Sequence, residues 1–237
     1  MRTPSLLVAC EESQRVCTAF RERGWEAYSC DLLDCSGGHP EWHIQADVLP
    51  ILRGGSFMTN DGAFHTVEEW DLVIAHPPCT YVSNAGACRL YPVAGKIDHK
   101  RFSEGLRGKE FFMNFYHYGF FGEKRIAIEN PLPSGVFEYP AETQIIQPYE
   151  YGDPHSKKTL LWLFGLPYLR PTKICQNFTP WLPSCTSGFA KGRGGSRGAA
   201  RGSKNYAKTF PGIAQAMADQ WVEYIEKEIE KECNNGR

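Results

Sequence analysis

Five short strand candidates mark the first half of the chain and its midpoint, each followed by chemically useful side chains. Leu6 to Ala9 precedes Cys10-Glu11-Glu12, and Glu26 to Cys30 ends at Asp31. His43 to Ala46 leads to Asp47 and Val48, and Asp71 to Ala75 leads to His76-Pro77-Pro78-Cys79. Arg125 to Ile128 precedes Glu129-Asn130-Pro131. Short apolar runs bounded by turn residues fit buried strands. Between them, Arg15 to Arg23 has helical spacing, with Val16, Ala19 and Phe20 on one side and Gly24 as the stop. Gly105 to Gly122 reads as an aromatic-rich helix, its run Phe111 to Tyr116 most simply core packing. Trp42, Trp162 and Trp181 take the same packing role. Gln144 to Tyr151 and Thr159 to Phe164 read as adjacent strands, an antiparallel addition, and Ile213 to Ile229 as a closing helix. This alternation predicts an α/β fold with a mainly parallel sheet and helices on both faces. In such a sheet the carboxyl ends of the strands line the ligand crevice. Glu11, Glu12, Asp31, Asp47, Cys79 and Glu129 are therefore expected along one edge.

Composition narrows the class. The 237 residues suit one domain with a small insertion, and 42% hydrophobic against 22% charged residues exclude whole-chain disorder. No apolar run approaches the roughly 20 residues of a membrane span, and the amino-terminal apolar stretch is too short for a signal peptide. The expectation is a soluble protein of the cytoplasm without a membrane partner. Nine scattered cysteines then read as reduced thiols. Neither Cys30 with Cys35 nor Cys175 with Cys185 has a CxxC spacing, so no metal site is expected.

The formal charge of −1 hides an asymmetry. From Arg170 to Ala218 there is no acidic residue, while Arg170, Lys173, Lys191, Arg193, Arg197, Arg201, Lys204 and Lys208 are basic. Six glycines between Gly188 and Gly202 leave that backbone loosely constrained. A positive segment in a neutral chain suits a polyanion partner, or is a solvated loop with no ligand.

Two residues stand out chemically. Pro77 and Pro78 fix the backbone ahead of Cys79, so its thiol is presented either as a nucleophile or as a small buried hydrophobe. Glu129, at a buried strand end, is either a carboxyl with raised proton affinity through desolvation or a partner for Lys124 or Arg125. His76 reads as a satisfied structural imidazole, with hydrogen bonding inside the site as the alternative.

His76-Pro77-Pro78-Cys79 and Glu129-Asn130-Pro131, about fifty residues apart, resemble the catalytic-loop Pro-Cys and the Glu-Asn motif of DNA cytosine-5 methyltransferases. More closely, the chain resembles small phage and prophage members of that family over nearly its whole length. Ala9 to Gln14, Tyr28 to Asp31, Gly37 to Gln45, Lys157 to Leu163 and Thr209 to Ala214 carry that likeness. The resemblance implies a Rossmann-like methyltransferase fold, S-adenosylmethionine as cofactor and DNA as partner, in the cytoplasm of a bacterial host. It implies a Cys79 thiolate that adds to carbon 6 of cytosine, with Glu129 supporting ring nitrogen 3. Asp31 would hold the cofactor ribose, Asp47 and Val48 the adenine, and Glu11, Glu12, Ser13 and Pro77 the rest of the cofactor. Asn130 would help seat the base, and Lys157 and Lys158 occupy the place of an Arg-containing motif, with Lys158 assigned a catalytic role. Arg193, Arg197 and Arg201 are the expected DNA contacts.

Two departures from the family pattern are plain. Cys10 to Gln14 lacks the glycine-rich turn, and the segment after Leu166 is short for a target recognition domain. The resulting division is a catalytic core over 1–165, a basic insertion over 166–208 and a returning helix over 209–237, with a monomer as the default. Modification of a free nucleotide or RNA cytosine is the rival activity, and a catalytically silent nucleic-acid binder the rival of another class. An adenine-amino methyltransferase fits poorly, since those resemble Asp/Asn-Pro-Pro-Tyr/Phe at this position.

Overall fold

The computed structural model describes residues 2–93, 95–182, 196–197 and 208–235. In chain order it contains β1 (Ser5–Ala9), α1 (Arg15–Arg21), β2 (Glu26–Asp31), β3 (His43–Gln45), β4 (Gly55–Met58), β5 (Phe64–Val67), β6 (Leu72–Ala75) and α2 (His99–Gly122). There follow β7 (Ile126–Pro131), β8 (Gln144–Ile146), β9 (His155–Ser156), β10 (Thr159–Phe164), β11 (Thr179–Leu182), β12 (Ser196–Arg197) and α3 (Pro211–Asn235). The central sheet has seven strands in the order β3-β2-β1-β6-β7-β10-β8. From β3 through β7 neighbouring strands are parallel. Only β10 is reversed, lying antiparallel between β7 and β8. This mostly parallel, doubly wound sheet with one reversed strand near its edge is a Rossmann-like α/β fold.

Both faces of the sheet are covered, and the strands are apolar on both sides for that reason. Leu6, Val8, Leu72, Ile74 and Ala127 share a core with Val16 and Phe20 of α1 and Met217 and Trp221 of α3. Their alternates Leu7, Ala9, Val73, Ala75 and Ile128 pack with Phe112 and Phe115 of α2 and with Phe57 and Val67 of the β4–β5 hairpin. In α3, Ile213, Met217, Trp221 and Ile225 are buried at helical spacing. Polar ties secure it: Arg23 Nε donates to Asp219 at 2.7 Å and Trp25 Nε1 to Glu226 at 3.0 Å.

Several boundaries differ from the sequence pattern. Helix α2 begins six residues before Gly105, because Asp98 caps it by accepting from the Arg101 amide at 2.9 Å. The stretch from Gln144 is a strand only as far as Ile146. The β4–β5 hairpin has no apolar period to reveal it, since only Phe57 and Val67 are buried. Among the described residues no helix is long and apolar enough to cross a membrane.

Gly212 fixes the entry of α3. A Cβ there would stand 1.9 Å from the Tyr151 carbonyl oxygen, a backbone atom with little room to yield. Gly212→Ala is expected to destabilise the protein by about 3 kcal/mol, the upper range for overpacking, read as a lower urea midpoint with unchanged slope. A midpoint equal to that of the parent protein would contradict this close approach.

Candidate active site

Strand order reverses between β1 and β6, and in open α/β sheets ligands bind at such a point, outside the carboxyl ends of the strands. Pairing continues one residue past β6, where the His76 amide donates to the Ala9 carbonyl at 2.9 Å. Pro77 and Pro78 then withhold two donors, and the chain leaves the sheet. Asn130 Nδ2 pins the exit by donating to the Pro77 carbonyl at 3.0 Å. The next residues are stitched to the end of β7: Asn84 N–H donates to Leu132 O, and Ser134 N–H to Val82 O, each at 2.8 Å. Cys79 is held, half-buried, between these two strand ends.

Glu129 lies within a strand rather than after one. Reversed β10 carries β7 onward by pairing Leu161 with Glu129 and Leu160 with Asn130. The Glu129 carboxylate meets the imidazole of His76, with Nδ1 to Oε2 at 3.1 Å and both side chains about nine-tenths buried. Burial pushes Glu129 upward, but the His76 hydrogen bond and the charges of Lys157 and His76 outweigh it, so the carboxyl lies below its ordinary value. Desolvation alone predicts the opposite sign. The correction comes from partners that the strand pattern does not reveal.

Burial raises the Cys79 thiol above its ordinary value, the Glu129 charge raises it further, and Lys157 offsets part of this. A raised thiol is mostly protonated at neutral pH and reacts slowly there. Cys79 is therefore expected to be alkylated by iodoacetamide several-fold more slowly at pH 7 than exposed Cys233, with its rate still climbing above pH 9. Peptide mass mapping reads both sites, and equal rates at pH 7 would contradict the raised thiol.

The predicted cofactor residues divide into two groups. Glu11 is turned inward and accepts from the amides of Val16 at 2.8 Å and Cys17 at 3.2 Å, and from the Ser13 hydroxyl at 3.4 Å. It caps α1, whose N-cap residue Gln14 makes no capping bond of its own. Its oxygens, and the Ser13 hydroxyl, are thus engaged in holding the turn rather than open to an ammonium group. Glu12 pairs with Lys208 at 3.6 Å. In contrast, Asp31 is half-buried and Asp47 exposed at the ends of β2 and β3, beside buried Val48, while Pro77 is buried under the Cys79 loop.

The missing glycine turn has a replacement. Cys10 and Gln14 both take left-handed conformations, with φ of 61° and 56°. Such backbone persists in non-glycine residues only where the surroundings enforce it. Here the buried Gln14 side chain donates to the His39 carbonyl at 2.8 Å and accepts from the His39 amide at 3.0 Å, clamping the neighbouring loop. A tight turn, two accessible carboxylates and a buried apolar side chain form a donor set that fits a ligand carrying ribose hydroxyls and a purine.

Lys157 and Lys158 separate clearly. Lys157 is half-buried and its charge reaches both Cys79 and Glu129, whereas Lys158 is exposed. Alternate residues ahead of a strand point to opposite sides, so only one of the pair serves the crevice. Arg193 and Arg201 lie outside the described residues, and Arg197 is described only through its backbone pairing with Leu182. Two further groups join the site: His76 through Glu129, which is the alternative reading of that residue, and Tyr139, absent from the sequence reading, whose phenol burial pushes up and the nearby Cys79 pushes up further. No pattern around Tyr139 announces it. His76 Nε2, Asn130 Oδ1 and the Tyr139 hydroxyl are three of six buried side-chain atoms without a hydrogen-bond partner among the described residues. Unmet polar atoms gathered beside a thiol suit a polar ligand. A cleft of about 720 Å³ beside the amino ends of β6 and β7, lined by Arg53, Glu69, His117, Tyr118 and Lys124, contains no nucleophile comparable to Cys79.

Fold and site together define a Rossmann-like α/β chain, with a thiol in the loop after β6 and a carboxyl on the adjacent strand β7. No family model and no curated protein matches the sequence. Among solved structures, the chain is similar to a mutant form of DNMT2 from Spodoptera frugiperda, at 15% identity and a TM-score of 0.31. That match covers 76% of this chain and 56% of the other. So slight a likeness carries no argument, and the fold stands on its strand order and pairing.

Proposed function

We propose that this chain methylates carbon 5 of cytosine in DNA through a covalent Cys79 adduct. The observation that carries the proposal is the meeting of the Cys79 thiol and the Glu129 carboxyl at the ends of β6 and β7, where the charge of Glu129 raises the thiol and Lys157 acts on both groups. The resemblance of the His76 to Cys79 and Glu129 to Pro131 segments to the cytosine-5 family supports it. The basic insertion favours a polyanion as the carrier of cytosine.

In this mechanism Cys79 Sγ gives up its proton and bonds to carbon 6, and the ring's π electrons become available at carbon 5. Glu129 braces nitrogen 3 during that shift, and the positive charge of Lys157 favours the thiolate. Bound S-adenosylmethionine supplies the methyl electrophile, with Asp31, Asp47 and Val48 as the residues that would hold it. After transfer, loss of the carbon 5 proton breaks the sulfur–carbon bond and frees the thiol. The base must stand outside a duplex for Cys79 to reach it.

Nucleoside mass analysis after incubation with S-adenosylmethionine tests the proposal, using duplex DNA, RNA and dCTP in parallel. The expected product is 5-methylcytosine in DNA alone. Product only in RNA or dCTP would transfer the same chemistry to the rival substrate, and cofactor binding without product would mark a silent fold.

A further inference from the structure

Resting on that reading, we infer that His76 is a positioning residue for the reaction, forming with Glu129 a dyad that aims the carboxyl and holds the proton required at cytosine nitrogen 3. The contact is short and sheltered: Nδ1 stands 3.1 Å from Oε2, between side chains 10% and 11% exposed. The imidazole is fixed from its backbone too, because the His76 amide extends the β1–β6 pairing through the Ala9 carbonyl. Its second nitrogen, Nε2, is buried without a hydrogen-bond partner among the described residues. A purely structural histidine would satisfy both nitrogens; this one directs its side-chain bond to the proposed catalytic carboxyl.

The surrounding charges set how the dyad behaves. Glu11, from the turn after β1, is the second carboxyl that feels His76. Lys157, ahead of β10, and Cys79, on the same loop as His76, face Glu129. An ionised Glu129 beside Lys157 is poor at donating a proton unaided, and a proton shared across the 3.1 Å contact with His76 remedies this. Written as imidazolium with carboxylate or as imidazole with carboxylic acid, the dyad holds the same single proton. When nitrogen 3 takes that proton as the sulfur–carbon bond forms, imidazole and carboxylate remain. When the sulfur–carbon bond breaks, nitrogen 3 returns the proton and the dyad is restored.

Two measurements test the dyad, one of them independent of methyl transfer. In the first, ¹⁵N-histidine spectra of the full chain, assigned by the loss of the His76 signals in His76→Asn, read the hydrogen bond at the His76 Nδ1. The Nδ1 resonance is expected to shift in Glu129→Gln, because a neutral amide replaces the charged acceptor of that bond. An unmoved Nδ1 resonance overturns the dyad, whatever the substrate. In the second, His76→Asn keeps an N–H near the Nδ1 position but cannot titrate. Its kcat is expected to fall about tenfold, and the basic limb of its pH profile to move down by about a unit, with the KM for S-adenosylmethionine within twofold of the parent. His76→Ala is expected to fall about a hundredfold. A basic limb that stays in place in His76→Asn reduces His76 to packing and overturns the inference. Thermal melting identifies any variant that fails to fold, and the other measurement then decides. Absence of transfer to any substrate by the parent protein would sink the methyltransferase reading while the ¹⁵N spectra still decide the dyad.

Discussion

Cys79→Ser is expected to lower methyl transfer by at least about 10³-fold while the protein melts within a few degrees of its parent. The magnitude follows from losing a nucleophile that the rest of the site cannot replace. A serine hydroxyl keeps the shape but ionises far less readily than a thiol, even with the positive charge of Lys157 favouring ionisation of the side chain at position 79. Stability survives because the loop is held by main-chain bonds between 82–84 and 132–134 rather than by the sulfur. An oligonucleotide carrying 5-fluorocytosine supplies the second readout. Fluorine at carbon 5 blocks the final elimination, so the parent enzyme accumulates a covalent adduct that maps to Cys79, and the serine variant accumulates none. Activity of the variant above a tenth of the parent's, or an adduct on another cysteine, would remove Cys79 from its role.

Glu129→Gln is expected to slow turnover by about 10² to 10³-fold, with cofactor affinity changed less than threefold. The carboxyl braces the pyrimidine, and the amide can neither carry the shared proton nor pair ionically with His76. The same substitution makes a second, opposite prediction. Glu129 is negative and raises the Cys79 thiol, so its removal lowers that thiol toward the ordinary value and enlarges the thiolate fraction at pH 7. Iodoacetamide should therefore modify Cys79 several-fold faster in the variant that turns over more slowly. Equal losses of turnover and cofactor affinity would place Glu129 in the cofactor pocket instead.

The central strands were legible because each is buried on both faces and so reads as an apolar run ending in a polar side chain. That pattern also placed Asp31, Asp47 and Cys79 at one edge. It failed where a residue's role depends on a partner distant in sequence. Glu129 is in a strand because β10, thirty residues later, pairs beside it, and its proton affinity is set by His76 and Lys157 rather than by burial alone. Glu11 caps α1 because Gln14, the residue placed to do so, is occupied in clamping His39. The hairpin escaped because it contributes only two buried side chains. Local periodicity finds the scaffold, whereas the site's electrostatics arise between elements.

The packing of α3 against α1 has a consequence for how the molecule is made. One entire side of the sheet, with Phe20 and Trp25 from the chain's beginning, is closed by Met217 and Trp221 near its end. During synthesis β1, α1 and β2 precede α3 by a long stretch of chain, and that apolar surface stays open to water until α3 has left the ribosome. Contacts so distant along the chain slow folding and prolong exposure to aggregation. Nascent chains stalled before Pro211 should bind chaperones, and release of α3 should let the whole sheet lock cooperatively.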